Sequence, residues 1–170
     1  MKHDLGLSDT QLGLMSGAAF ALFYTFLGIP IARLADRGSR TWIMTCALAI
    51  WSAFTALCGQ AQSFLQLFVA RVGVGVGEAG GVAPAFSLIS DYFPPRQRAR
   101  ALAVFSFGVP IGSGLGTLLG GLVASAVDWR VAFLSVGVGG LLLAPLFRLT
   151  VREPVRGALA LRSCSTQLVC

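Results

Sequence analysis

From Phe64 to Ser90 the chain runs apolar with only two charges, Arg71 and Glu78, set well inside its ends. A helix needs about 20 apolar residues to cross a bilayer, so this stretch is long enough. A charge buried at mid-helix in lipid costs roughly 2.5 to 3.5 kcal/mol and usually faces a bundle interior or a wet cavity on an ion or substrate path. Seven residues bring Arg71 and Glu78 back to nearly the same helical face, about 10 Å apart along the axis. A structural ion pair pinning two helices is the rival explanation for such a pair.

Gly73, Gly77 and Gly81 recur at four-residue spacing in the same stretch, the small-residue pattern that lets helices approach closely in lipid. Pro84, lacking an N–H and crowding the preceding turn, is expected to kink the span. Gly75, Gly77 and Gly80 also satisfy G-x-G-x-x-G, but a dinucleotide site requires a strand before the glycines and a helix opening on them. A run this long leaves no room for that strand.

Composition carries the membrane reading to the whole chain. Of 170 residues, 55% are hydrophobic and only 12% charged, with a mean hydropathy of +0.78, against the roughly 25% charged residues of ordinary soluble domains. The net charge of +6 comes from short clusters between apolar runs rather than from a basic face, which argues against nucleic-acid binding. Cys46, Cys58, Cys164 and Cys170 form neither a disulfide framework nor a zinc spacing. With a single histidine, His3, no metal site, cofactor site or nucleophilic triad emerges, so no enzyme is expected.

Five spans are expected: Thr10 to Ala32, Thr41 to Leu57, Phe64 to Ser90, Ala101 to Val127 and Val131 to Phe147. The first two are separated by the basic turn from Arg33 to Arg40, the third and fourth by the loop from Asp91 to Arg100 with Pro94 and Pro95. Gly108, Gly112, Gly116 and Gly120, with Pro110 among them, place a glycine ridge on the fourth span for packing or hinge motion. Residues 154–170 read as a tail, disordered or the start of a linker. Lys and Arg concentrate in the two basic loops and the tail, while the opposite side holds Lys2 and Arg130. Positive charge marks cytoplasmic loops, so the N-terminus is expected outside, the C-terminus in the cytoplasm, and the chain in the plasma (inner) membrane.

The loop R-L-A-D-R-G-S-R, with Leu34, Ala35, Asp36, Arg37 and Arg40, is similar to the motif between helices two and three of the major facilitator superfamily. It departs from that pattern at Ala32, Ser39 and Thr41. Arg71, Gly75, Gly77, Glu78 and Ala79 resemble the family's fourth-helix motif in its spinster-like version. The stretch V-P-I-G-S-G-L-G-T-L-L-G-G resembles the spinster-like fifth helix, and D-W-R-V-A-F the entry to the sixth; the Gly-Pro pair of drug and proton antiporters is absent.

The resemblance implies an all-α polytopic bundle in which residues 1–153 form part of an N-terminal transporter half, family helices two to six. A first helix and a C-terminal half would then be missing partners. It further implies proton-coupled alternating access for a small organic or lipid-like substrate. Glu78 would be the proton acceptor, Arg71 its electrostatic partner or a substrate-anion contact, and Asp36, Arg37 and Arg40 a cytoplasmic gate loop. The alternatives are half of an organic-anion symporter and a truncated membrane fragment that transports nothing.

Overall fold

The computed structural model describes residues 5–14, 17 and 19–157. The expectations resting on Lys2, His3, Arg162, Cys164 and Cys170 lie outside the described residues. Among the described residues seven helices follow one another: α1 (Asp9–Gly13), α2 (Ala19–Arg37), α3 (Arg40–Cys58), α4 (Phe64–Ala79), α5 (Val82–Tyr92), α6 (Pro95–Ala126) and α7 (Trp129–Thr150). Their starts are written in the sequence. Ser8, Ser39, Ser63 and Asp128 each accept a hydrogen bond from a first-turn N–H, satisfying donors that a new helix leaves unpaired. At α6 the N-cap Pro94 makes no such bond and Pro95 fills the first position, where a missing N–H costs nothing.

Among the described residues, four helical segments are long and apolar enough to cross a membrane: Arg40–Cys58, Phe64–Tyr92, Pro95–Ala126 and Trp129–Thr150. The chain is thus an all-helical, multi-pass membrane bundle, and these four correspond to the second to fifth expected spans. The first is drawn differently. The described part of its expected range lies in α1 and α2, and α2 continues past Ala32 to Arg37 because nothing breaks the helix before Gly38. The basic turn therefore shrinks to Gly38 and Ser39, and Asp36 and Arg37 belong to the last turn of a helix rather than to a loop. The second basic loop shrinks in the same way to Phe93 and Pro94.

Pro84 does not kink the third span. The interruption lies three to four residues earlier, at Gly80 and Gly81, and Pro84 sits fully buried in the first turn of α5, where its ring costs no hydrogen bond. Pro110 lies inside α6, which passes through it as one helix.

Helix α3 lies between α4 and α7, α2 packs on α4, and α6 leans on α7 and α5. Small residues, mostly alanine with a few hydroxyls, dominate the interior, and large apolar side chains cover the outside. Thr41, Thr45, Ser52 and Thr55 form a buried stripe on α3, with the hydroxyls of Thr45 and Thr55 donating to carbonyls one turn back at 2.7 and 2.8 Å. Leu118, Leu142 and Leu149 are exposed. Lipid takes the place of water around such side chains, so small and self-satisfied groups are what let the helices touch.

Candidate functional site

The crossing from Phe64 to Tyr92 carries both sequence-predicted charges, and Glu78 stands at its midpoint, one residue before α4 ends. The break exists because the Gly80 and Gly81 N–H groups close the last turn on the carbonyls of Gly77 and Glu78 at 3.1 and 3.0 Å, after which α5 starts with no side-chain cap. Irregular backbone at membrane depth is tolerated where protein buries it or a wet cavity lines it.

Glu78 is half-buried and has no hydrogen bond or ion pair among the described residues. Arg71, two turns nearer the α4 start, is also half-buried. Its Cζ lies 5.0 Å from the centroid of the Phe133 ring in α7, and its buried Nε has no hydrogen-bond partner. The two charges share a face without forming an ion pair. Phe133 meets Trp129 edge to face at 6.1 Å, and Arg130 lies over Trp129 at 4.5 Å. Arg130 Nη1 then donates to the carbonyls of Gly59 at 3.2 Å and Ala61 at 2.6 Å. Arg71 thus lies on the side of the turn at residues 59–61, and Glu78 beside the helix break.

Glycines set the spacing around this pair. A Cβ at Gly77 would come within 2.5 Å of the Trp51 backbone nitrogen, and one at Gly73 would overlap the Phe54 ring. The third packing contact is not Gly81 but Gly80, whose Cβ would meet the Ala47 methyl at 2.8 Å; Gly81 stands in the break, and a Cβ there would meet only the Glu78 carbonyl. The turn at Gly80 rotates the face by one residue, which simple four-residue counting does not anticipate. On α6 nothing lies within 4 Å of a Cβ at Gly108, Gly112, Gly116 or Gly120. The expected packing ridge has no partner helix within the described residues.

At the other end of the bundle the predicted gate residues separate. Asp36 and Arg37 are exposed, and Arg40 is 2% exposed. Arg40 gathers three elements: Nη1 donates to Ser87 Oγ at 2.8 Å and Asp91 Oδ2 at 2.5 Å on α5, and Nε donates to Glu153 Oε1 at 2.9 Å beyond α7. Nη2 reaches the Pro154 carbonyl at 3.4 Å. Glu153 Oε2 also accepts from the Thr41 N–H at 2.8 Å and from Ser39 Oγ at 2.9 Å. Burial works against the Glu153 charge, yet the Thr41 N–H, the Arg40 guanidinium and the Thr41 and Ser39 hydroxyls outweigh it and hold the carboxyl at about 2.

Arg156 completes the tie by donating to the carbonyls of Ala35, Asp36 and Gly38 at the α2 end, and the Gly157 N–H donates to Asp91 Oδ1 at 3.2 Å. Asp36 therefore joins the network through its backbone, and Arg40 through its side chain. Sequence reasoning singled out neither Ser87, Asp91, Glu153 nor Arg156. The available signal was charge at the ends of three apolar runs on one side, since such ends must meet in a bundle.

The model of the Major Facilitator Superfamily matches residues 1–163. The chain is 41% identical over 151 residues to an MFS-type efflux pump of Mycolicibacterium smegmatis, covering 89% of the chain and 35% of that protein. It is 30% identical over 153 residues to the hexuronate transporter of Bacillus subtilis, covering 90% and 36%. Among solved structures it is similar to a bacterial homologue of the human lysosomal transporter Spinster in an inward-facing, occupied conformation, with TM-score 0.81 and 41% identity. That match covers 93% of the chain and 40% of the solved one. The chain thus spans about a third of the length of the curated relatives it matches.

Proposed function

We propose, given that the chain belongs to the Major Facilitator Superfamily, that it forms part of a secondary transporter working by alternating access, with Glu78 as its proton-accepting group. The observation that carries this reading is the interrupted crossing. A carboxyl without a counter-ion sits at the midpoint of a membrane span, beside a helix break and on the same face as an arginine without a hydrogen bond. A carboxylate held in an ion pair is locked; one without a counter-ion is free to exchange a proton as its surroundings open and close. The substrate in this reading is a small organic or lipid-like molecule, the class that the resemblance of the fourth and fifth family helices to the spinster-like branch implies.

Residues 1–153 act as part of one transporter half, with the basic loops on the cytoplasmic side by their concentration of arginine. The ties from Arg40, Glu153 and Arg156 serve as the cytoplasmic gate, since charged contacts between helix ends can be made in one conformation and released in another. Asp36, whose side chain is exposed, contributes to the gate by pairing outside this bundle. The second reading is organic-anion symport. It is favoured by Arg71, whose guanidinium makes no hydrogen bond here and can take a carboxylate, and by the likeness to a hexuronate transporter.

The test compares two proteins in vesicles under a pH gradient. One is the 170-residue chain alone; the other is a hybrid in which this sequence replaces the matching stretch of the Mycolicibacterium smegmatis efflux pump. The hybrid is expected to give saturable, substrate-dependent proton flux and the chain alone none. Saturable flux from the chain alone would overturn the reading that one wall of the cavity comes from elsewhere. Flux driven only by carboxylate substrates, and lost in Arg71→Gln, would select the second reading.

A further inference from the structure

We propose that Arg148 and Trp42 form a binding site for the phosphate headgroup of an anionic phospholipid, in the leaflet facing the basic loops. Arg148 lies in the last turn of α7, and its Cζ stands 4.9 Å from the centre of the Trp42 ring on the first turn of α3. Its Nε is buried and unpartnered, and no other nitrogen of its guanidinium donates a hydrogen bond among the described residues. Only Nε is both buried and unbonded, so the terminal nitrogens reach the surface with their donors free. An arginine fixed in this way presents a planar fork that matches a phosphate.

The surroundings point to lipid. Trp42 is 54% exposed, and an indole at the end of a membrane span sits at headgroup depth. Leu149, the next residue along α7, is 81% exposed, which leaves apolar surface on the flank of α7 adjoining Arg148. Arg152, also exposed, adds positive charge four residues on. The carboxylate nearest in sequence, Glu153, is engaged by Arg40, Thr41 and Ser39, and Arg148 has no ion pair among the described residues. An arginine with free donors at a lipid-facing seam is complementary to an anion that the membrane itself supplies.

The site does not depend on the transport reading, and its test can fail separately. The 170-residue chain is placed in vesicles of phosphatidylglycerol and phosphatidylcholine, with one lipid or the other brominated to quench tryptophan on contact. Subtracting the signal of Trp42→Phe isolates Trp42. Brominated phosphatidylglycerol is expected to quench Trp42 as though about fivefold enriched over its bulk fraction, the preference one basic residue gives near an anionic surface. Arg148→Gln should abolish the enrichment and Arg148→Lys, which keeps charge without the fork, should keep only part of it. Equal quenching of Trp42 by both lipids in the chain with Arg148 intact overturns the proposal without any Arg148 variant having to fold. Enrichment that survives in Arg148→Gln, or that soluble glycerol phosphate removes at millimolar concentration, overturns it as well.

Discussion

Helices α4 with α5 and helix α6 are both long apolar crossings with glycines every fourth residue, yet the bundle treats them in opposite ways. Half of the most apolar window of α4–α5 is buried, its glycines touch α3, its middle is broken, and its far end is held by Arg40. None of the corresponding window of α6 is buried, its glycines touch nothing, and it passes unbroken through a proline. The shared glycine signature therefore reports only that a helix can be approached closely. Which helix is approached, and whether the approach occurs inside this chain, depends on neighbours that a one-dimensional spacing does not contain.

The contrast is undone most severely at the anchored end. Arg40→Met leaves Asp91 and Glu153 without their cation; both carboxylates are partly exposed, so the cost should lie near the low end for breaking a buried pair, about 3 kcal/mol, and detergent-solubilised chain should show this as a lowered unfolding midpoint. Gly77→Ala drives a methyl into the Trp51 backbone and is expected to cost about 2 kcal/mol by overpacking, in the same assay. Acid should loosen the same end more gradually. Glu153 has its carboxyl lowered from 4.5 to about 2, so its stabilisation is complete above pH 4.5 and is lost as pH falls toward 2. The unfolding midpoint should drop across that window in the unaltered chain and be flatter in Glu153→Gln. Smallest of all, Gly112→Ala on α6 should leave the chain alone unchanged or raise its stability by up to about 1 kcal/mol from helix propensity. A large loss there would mean that α6 is packed after all.

The helices and their membrane character were legible because apolar length is local; the caps Ser39, Ser63 and Asp128, equally local, mark three starts that the span lengths alone do not use. The pairing of Arg71 and Glu78 on one face was legible for the same reason, since helical periodicity carries over seven residues. The break was misplaced because Pro84 is the stronger local signal, and a proline in a first turn breaks nothing. The short loops were missed because charge was read as loop, although arginine and aspartate continue a helix well enough when no glycine intervenes. Glu153 and Arg156 could not be found by motif, as their partners lie over 110 residues away. Arg148 and Trp42 were invisible for the same reason, being adjacent only once α3 and α7 are packed.

The proton-accepting role of Glu78 is tested by pH-gradient-driven accumulation of substrate in vesicles containing the hybrid transporter with Glu78→Gln, with exchange of labelled for unlabelled substrate measured on the same preparation. Glutamine copies the protonated acid in shape and cannot release a proton, so accumulation should fall to background while exchange continues. Full accumulation by Glu78→Gln would contradict the account.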